Sequence, residues 1–176
     1  QARTPDVRVA TIIHTSPVTG MTVNISDIVD AIRTVSPECF IIVDGIQHAA
    51  HGGLDLKSYG VDGYAVSPYK MFSRHGYGVG WLANRLQELP HENLIGGPVQ
   101  NWELGTRDTG AYATFSDVVD YLDWLGAQVS NESTKRDRVV AAGKSIHEQE
   151  KVLTDAMIYG VGNLTGLANL PGVGIL

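Results

Sequence analysis

The chain has 176 residues, 43% of them hydrophobic and 18% charged, with a formal net charge of −6. This is the ordinary composition of a soluble globular protein of about one domain. No cluster of basic residues runs through it, which argues against nucleic acid as a partner, and no apolar run is long enough to span a membrane.

The single cysteine, Cys39, has no partner for an intrachain disulfide, so a cytoplasmic setting is expected. The chain opens without Met at QARTPDVRVATIIHT and closes at PGVGIL, where a strand is expected to begin. Both ends are expected to be cuts through a longer protein.

Val7 to Thr15 is rich in β-branched apolar residues and reads as a buried strand. Ser26 is the expected cap of a helix through SDIVDAIRTV, with Ile28, Val29, Ile32 and Val35 at helical spacing and Pro37 ending it. Phe40 to Val43 is a second short strand, terminating in Asp44-Gly45. A short helix is expected over Gln47 to Ala50, then a turn at His51-Gly52-Gly53 and a helical turn over Asp55 to Tyr59. Gly63 to Val66 reads as a third strand, closed by Ser67-Pro68, and Val79 to Ala83 as a fourth. Beyond Pro90 the chain is loop-like through Gly96-Gly97-Pro98. Ala111 to Gly126 then predicts a helix with Phe115, Val118, Val119, Leu122 and Leu125 on one side. Ser130 to Leu153 is charged and amphipathic, as suits a long solvent-facing helix. Strands alternating with helices imply an α/β sheet, and functional groups in such sheets gather at the carboxyl ends of the strands. Thr15-Ser16, Asp44 and Ser67 stand at such ends.

The chemistry is concentrated between Ile41 and Leu82. Asp44 follows a buried strand and precedes glycine, which places its carboxylate at a sheet edge. Gln47, three residues on, can face the same crevice. Lys70 follows the strand end Ser67-Pro68-Tyr69, and the glycines after it permit close backbone approach. An acid, an amide and a lysine converging on one crevice can bind a small polar ring. A partly desolvated lysine favours its amine form and can make a Schiff base; pyridoxal phosphate needs such a lysine and an acidic partner for its ring nitrogen.

These residues resemble the cofactor site of the class V aminotransferase family, the fold type I group that contains cysteine desulfurases and isopenicillin N epimerase. There a strand ends in Asp-x-x-Gln or Asp-x-x-His, and some twenty-odd residues later comes Ser-x-His-Lys followed by a glycine-rich turn into a strand. The matching residues are Asp44, Gln47, Ser67, Tyr69 and Lys70, then Gly76, Gly78 and Gly80. The resemblance implies that Lys70 carries pyridoxal 5'-phosphate as a Schiff base, Asp44 pairs with the protonated ring nitrogen, Gln47 hydrogen-bonds the ring hydroxyl, and Ser67 binds the phosphate. His14 to Gly20 resembles the family segment His-x-Ser-Asn-x-x-Gly, and Glu103-Leu104-Gly105-Thr106 resembles Glu-x-Gly-Thr, whose threonine reaches the phosphate of a neighbouring subunit. The implied fold is the large domain of a fold type I pyridoxal-phosphate enzyme, a mainly parallel sheet flanked by helices. Residues 1–126 would form its C-terminal half, and 127–176 the connecting helix and the start of the small domain. The implied activity is that of a desulfurase or carbon–sulfur lyase acting on an amino acid, in a homodimer with shared sites. An epimerase or aminotransferase, or a non-catalytic relative, is the alternative.

Two departures bear on substrate and phosphate. Tyr69 stands where His usually precedes the lysine, and its hydroxyl still donates to a phosphate. Pro17 replaces a frequent Asn near the ring and has no side-chain donor, which favours the epimerase or aminotransferase alternative. Arg74 and His75 stand where Gly-Pro-Thr-like residues are common and add positive charge. Of the remaining signals, His48 and His51 have no cysteine or third histidine close in sequence, and no metal is expected there. Gly76-x-Gly78-x-Gly80 leads into a strand rather than a helix, unlike a dinucleotide fingerprint. His14 reads as a packed or hydrogen-bonded histidine and Cys39 as core. Asn24, Asn131 and Asn163 fit the glycosylation pattern by chance.

Overall fold

The computed structural model describes residues 7–99, 101–106 and 108–175. The chain forms two compact units. One holds the residues up to Ala50 together with Leu54–Asp120; the other holds His51–Gly53 with the residues from Tyr121 on.

The first unit is built on a four-stranded sheet in the order β1 (Val9–Ile13), β2 (Phe40–Asp44), β3 (Gly63–Val66), β4 (Val79–Leu82). β1, β2 and β3 are parallel, and β4 runs antiparallel to β3. Parallel neighbours require crossovers. α1 (Ile25–Val35) supplies the first, and a 3-10 turn (His48–Ala50) with α2 (Leu56–Tyr59) the second. The expected strands agree closely with these. β1 is shorter than expected because Thr15 leaves the ladder to bridge Thr22. The cap of α1 is Asn24, not Ser26. Asn24 has extended backbone, and its side chain accepts from the Asp27 amide, whereas Ser26 sits inside the first turn and its hydroxyl donates to the Ser58 carbonyl.

Alternation along β2 sorts its two faces. Ile41 and Val43 are fully buried and pack with Ile25 and Val29 of α1, Cys39, Val61, Tyr64 and Val66. The opposite face is open: Val9 and Ile13 are 54% and 55% exposed. Across it, Ile13, Asp44, Ala65 and Gly80 are register partners in one row.

One buried acid ties this unit together and was not anticipated. The Asp62 side chain is 2% exposed. Its Oδ2 accepts from the Ile41 amide at 2.8 Å and from Arg33 at 3.1 Å, and its Oδ1 accepts from Arg85 Nε at 2.5 Å. Arg85 belongs to α3 (Asn84–Gln87), a short helix that follows β4; it also donates to the Cys39 carbonyl and lies over the Phe40 ring.

α4 (Thr109–Val129) is longer than expected at both ends, and α5 spans Lys135–Tyr159 rather than starting at Ser130. Thr134 caps α5 by accepting from the Asp137 amide. In the second unit Asp123 of α4 accepts from Arg138 Nε of α5 at 2.6 Å. Gly126 packs so tightly on the Arg138 backbone that a Cβ there would lie 1.9 Å from its carbonyl oxygen. α5 buries only Ala142 fully, in keeping with a solvent-facing helix. A two-stranded hairpin, β5 (Gly160–Val161) and β6 (Leu164–Thr165), follows, then a 3-10 turn (Leu167–Asn169). Residues 173–175 form no strand, contrary to expectation; Leu176 lies outside the described residues. No helix among the described residues is long and apolar enough to cross a membrane.

Candidate functional site

Asp44 is the last residue of β2 and points to the open face of the sheet. Its Oδ1 accepts from the Ile46 amide at 3.0 Å, which folds the chain back over the strand end. Gly45 donates to the Ala65 carbonyl, and its own carbonyl accepts from Ala49, so the turn is bonded on both sides. Only glycine fits at this position: a Cβ would lie 1.9 Å from the Tyr64 ring.

Lys70 is held on the neighbouring strand end. β3 closes at Val66, and a 3-10 turn (Pro68–Lys70) follows, with the Lys70 amide donating to the Ser67 carbonyl. The turn directs the half-buried Lys70 Nζ to Gln47 Oε1, to which it donates at 2.9 Å. Two residues 23 apart in sequence thus meet at adjacent strand ends. Tyr69 is exposed, stacks on His75 with centroids 4.3 Å apart, and has its ring centroid 5.8 Å from Lys70 Nζ. Ser67 is half-buried, and its hydroxyl makes no cap bond to the turn.

Thr106 lies in the same unit. It lines a cavity of about 330 Å³ with Tyr77, Glu103, Asp108, Tyr112 and Phe115 among others, a lining that includes none of Asp44, Gln47 and Lys70. At its rim Arg74 pairs with Asp108 and lies over the Tyr77 ring, and Tyr112 donates to Glu103. The hydrogen bond from Arg74 holds the Asp108 carboxyl below its usual range.

Behind the Asp44–Gln47 turn is a ring cluster. His14, 4% exposed, has its Nδ1 2.8 Å from the Tyr64 hydroxyl and stacks on His48 with centroids 3.5 Å apart. His14 is therefore the packed, hydrogen-bonded histidine that was expected. Burial, and then the neighbouring His48, pull its pKa down to about 4. Burial, with Tyr59 and Asp44 nearby, pushes the Tyr64 hydroxyl up. His48 thus takes part in a ring stack with His14 and not in a pair with His51. His51 belongs to the second unit, where its Nδ1 lies 2.7 Å from Glu150. The one signal for the cluster was a histidine at the end of a strand and another beside Gln47; their stacking is a product of the fold.

Curated relatives and solved structures agree on the fold. A probable cysteine desulfurase of Mycoplasma pneumoniae is 28% identical over 95 residues, 54% of this chain and 23% of the relative. The cysteine desulfurase-like protein ustD of Aspergillus flavus is 39% identical over 71 residues, 40% of this chain and 16% of the relative. Probable cysteine desulfurase 2 of Mycobacterium leprae is 28% identical over 151 residues, 77% of this chain and 35% of the relative. The chain thus spans about a third or less of the length of these relatives. Among solved structures, the cysteine desulfurase CsdA of Escherichia coli superposes with a TM-score of 0.58 at 22% identity, over 72% of this chain and 38% of that one. The cysteine desulfurase of Thermococcus onnurineus gives 0.55 at 16% identity, over 85% of this chain and 37% of that one. The shared fold is the α/β, mainly parallel sheet of fold type I enzymes. The aminotransferase class-V family model matches residues 1–141, and the chain belongs to that family.

Proposed function

We propose that this chain is part of an enzyme that uses pyridoxal 5'-phosphate to act on an amino acid, as a cysteine desulfurase or related carbon–sulfur lyase. The observation that carries the reading is the Lys70–Gln47 contact at 2.9 Å, beside Asp44 at the carboxyl end of the sheet. The donor set fits the cofactor. The aldehyde and hydroxyl are neighbours on its ring, and the amine and amide that would meet them are neighbours here. When bound, the cofactor supplies an electron-withdrawing ring that weakens the bonds at the substrate's alpha carbon.

The chain's own groups divide the remaining work. Lys70 Nζ would be the nucleophile that holds the cofactor and the base that moves a proton at the substrate's alpha carbon. Asp44 holds a proton at the ring nitrogen by accepting its hydrogen bond. The Gln47 amide donates to the ring hydroxyl, and Ser67 and Tyr69 offer hydroxyls to the phosphate. Residues 1–126 belong to the large domain in this reading, and 127–176 to the connecting helix and the start of the small one. The likeness of Glu103-Leu104-Gly105-Thr106 to the family's Glu-x-Gly-Thr supports a homodimer in which Thr106 serves the partner's phosphate. A lone, buried Cys39 supports the cytoplasm. Pro17, exposed and without a donor, favours amino-acid epimerisation or transamination as the second reading.

The test is the absorbance spectrum of the full-length protein with added pyridoxal phosphate, followed by borohydride reduction and peptide mapping. A visible band and a reduced adduct on Lys70, both lost in Lys70→Ala, are expected. An adduct on another lysine, or none, would overturn the reading.

A further inference from the structure

The roles above leave the rings behind the turn without a task, and those rings are built with unusual care for a core. His14 Nδ1 meets the Tyr64 hydroxyl at 2.8 Å. His48 Nδ1 meets Thr15 Oγ1 at 3.0 Å, and that hydroxyl meets Thr22 Oγ1 at 2.8 Å. The two imidazoles lie 17° from parallel, and Tyr59 stands edge-on to His14 at 5.5 Å. Apolar side chains would fill this space without the desolvation penalty of two imidazoles. Hydrogen bonds differ from apolar packing in having direction, and they orient a ring as contact alone does not.

The cluster touches the proposed site at two points. His48 directly follows Gln47 and opens the 3-10 turn. The Tyr64 ring occupies the space a side chain at position 45 would need. The turn between Asp44 and His48 is therefore clamped by ring contacts at Gly45 and His48, with the Gln47 side chain leaving it toward Lys70. Positions that hold reacting groups tolerate displacements of only about 0.5 Å.

We infer that the His14–His48 stack is a positioning element. Held by Tyr64 on one side and by Thr15 and Thr22 on the other, it fixes the turn that carries Gln47 and so sets how the amide meets Lys70. The inference rests on the roles proposed for Gln47 and Lys70.

The experiment measures amine labelling of the full-length protein without cofactor. A small acylating reagent is used and each lysine is read by peptide mass spectrometry. The Lys70 rate is expected to change about threefold or more in Gln47→Ala and in His48→Ala, with no further change in the double variant. Lys57 and Lys144, both exposed, serve as references and should not move. His48→Asn, which can still bond Thr15, should return the rate toward wild type. Thr22→Val, at the exposed far end of the chain of bonds, should give a smaller shift at Lys70 alone, and it decides the matter if His48→Ala does not fold. An unchanged Lys70 rate in the His48 or Thr22 variants, or additive effects of His48 and Gln47, would overturn the inference. A parallel sample with pyridoxal phosphate separates the two claims. No visible band in the wild type removes the cofactor reading and the inference with it. A visible band with unaltered labelling removes the inference alone.

Discussion

Asp62→Ala is the substitution whose effect can be worked most fully from the structure. It removes a carboxylate that is 2% exposed and leaves Arg33 and Arg85, 34% and 36% exposed. Breaking a buried ion cluster from one side usually costs about 3–5 kcal/mol. Here both arginine heads reach water and recover part of their solvation, which moves the figure to the lower end. The buried Ile41 amide does not recover: its acceptor at 2.8 Å is gone, which adds about 1–3 kcal/mol for an orphaned donor. The expected loss is therefore about 4 kcal/mol. Asp62→Asn should lose about 2 kcal/mol, because one amide oxygen cannot serve both sides and its NH2 faces either Arg85 Nε or the Ile41 amide. Equilibrium urea unfolding followed by tryptophan fluorescence is the assay, with Trp81 on β4 as the local probe. Arg85→Ala should cost at least about 1 kcal/mol less in the Asp62→Ala background than alone. A loss below about 1 kcal/mol for Asp62→Ala, the range of exposed ion pairs, would refute this account.

Gly45→Ala should destabilise by about 3 kcal/mol and weaken cofactor binding, since the new methyl collides with a Tyr64 ring fixed by His14; urea midpoints and cofactor titration test it. Gly126→Ala should lose about 2 kcal/mol despite the better helix propensity of alanine, because its Cβ meets the Arg138 carbonyl; a thermal melt decides. His14 gives a pH prediction. Its folded pKa, about 4, lies below the unfolded 6.5, so below pH 6.5 the unfolded chain takes up a proton that the folded one refuses. Stability should fall as pH drops from 6.5 to 4, by on the order of 3 kcal/mol from this residue, and should be indifferent to it above pH 7. His14→Phe should flatten that part of the urea-midpoint curve; an identical slope would refute the assignment.

The sheet was legible because its strands are short β-branched runs bounded by Asp, Gly, Ser and Pro, and β3 falls where that pattern puts it. The Lys70–Gln47 meeting was legible from the placing of both residues at strand ends, together with the family motif, and not from periodicity, which carries no distance between residues 23 apart. Thr106 was legible as a motif residue, but its place in a cavity with Tyr77, Tyr112 and Phe115 was not. Asp62 and the His14–His48 stack escaped for one reason. What surrounds an acid before a strand, or a histidine after a glutamine, is not written in the local pattern; the fold brings arginines, a tyrosine and threonines around them. The caps failed more narrowly: Asn24 and Ser26 are both good caps, and the choice turns on backbone angles two residues apart.

The strict alternation along β2 ties the placement of the candidate acid to the pairing of the strand. Ile41 and Val43 face α1, and Asp44 follows on the other side. A slip of one residue would exchange the faces, bringing Asp44 into the apolar layer at a penalty of several kcal/mol and exposing two fully buried residues. Misregistered copies therefore lose their fold together with their chemistry. They have no route to accumulate as folded protein, so selection for stable strand pairing also keeps the candidate acid at the carboxyl end of the strand.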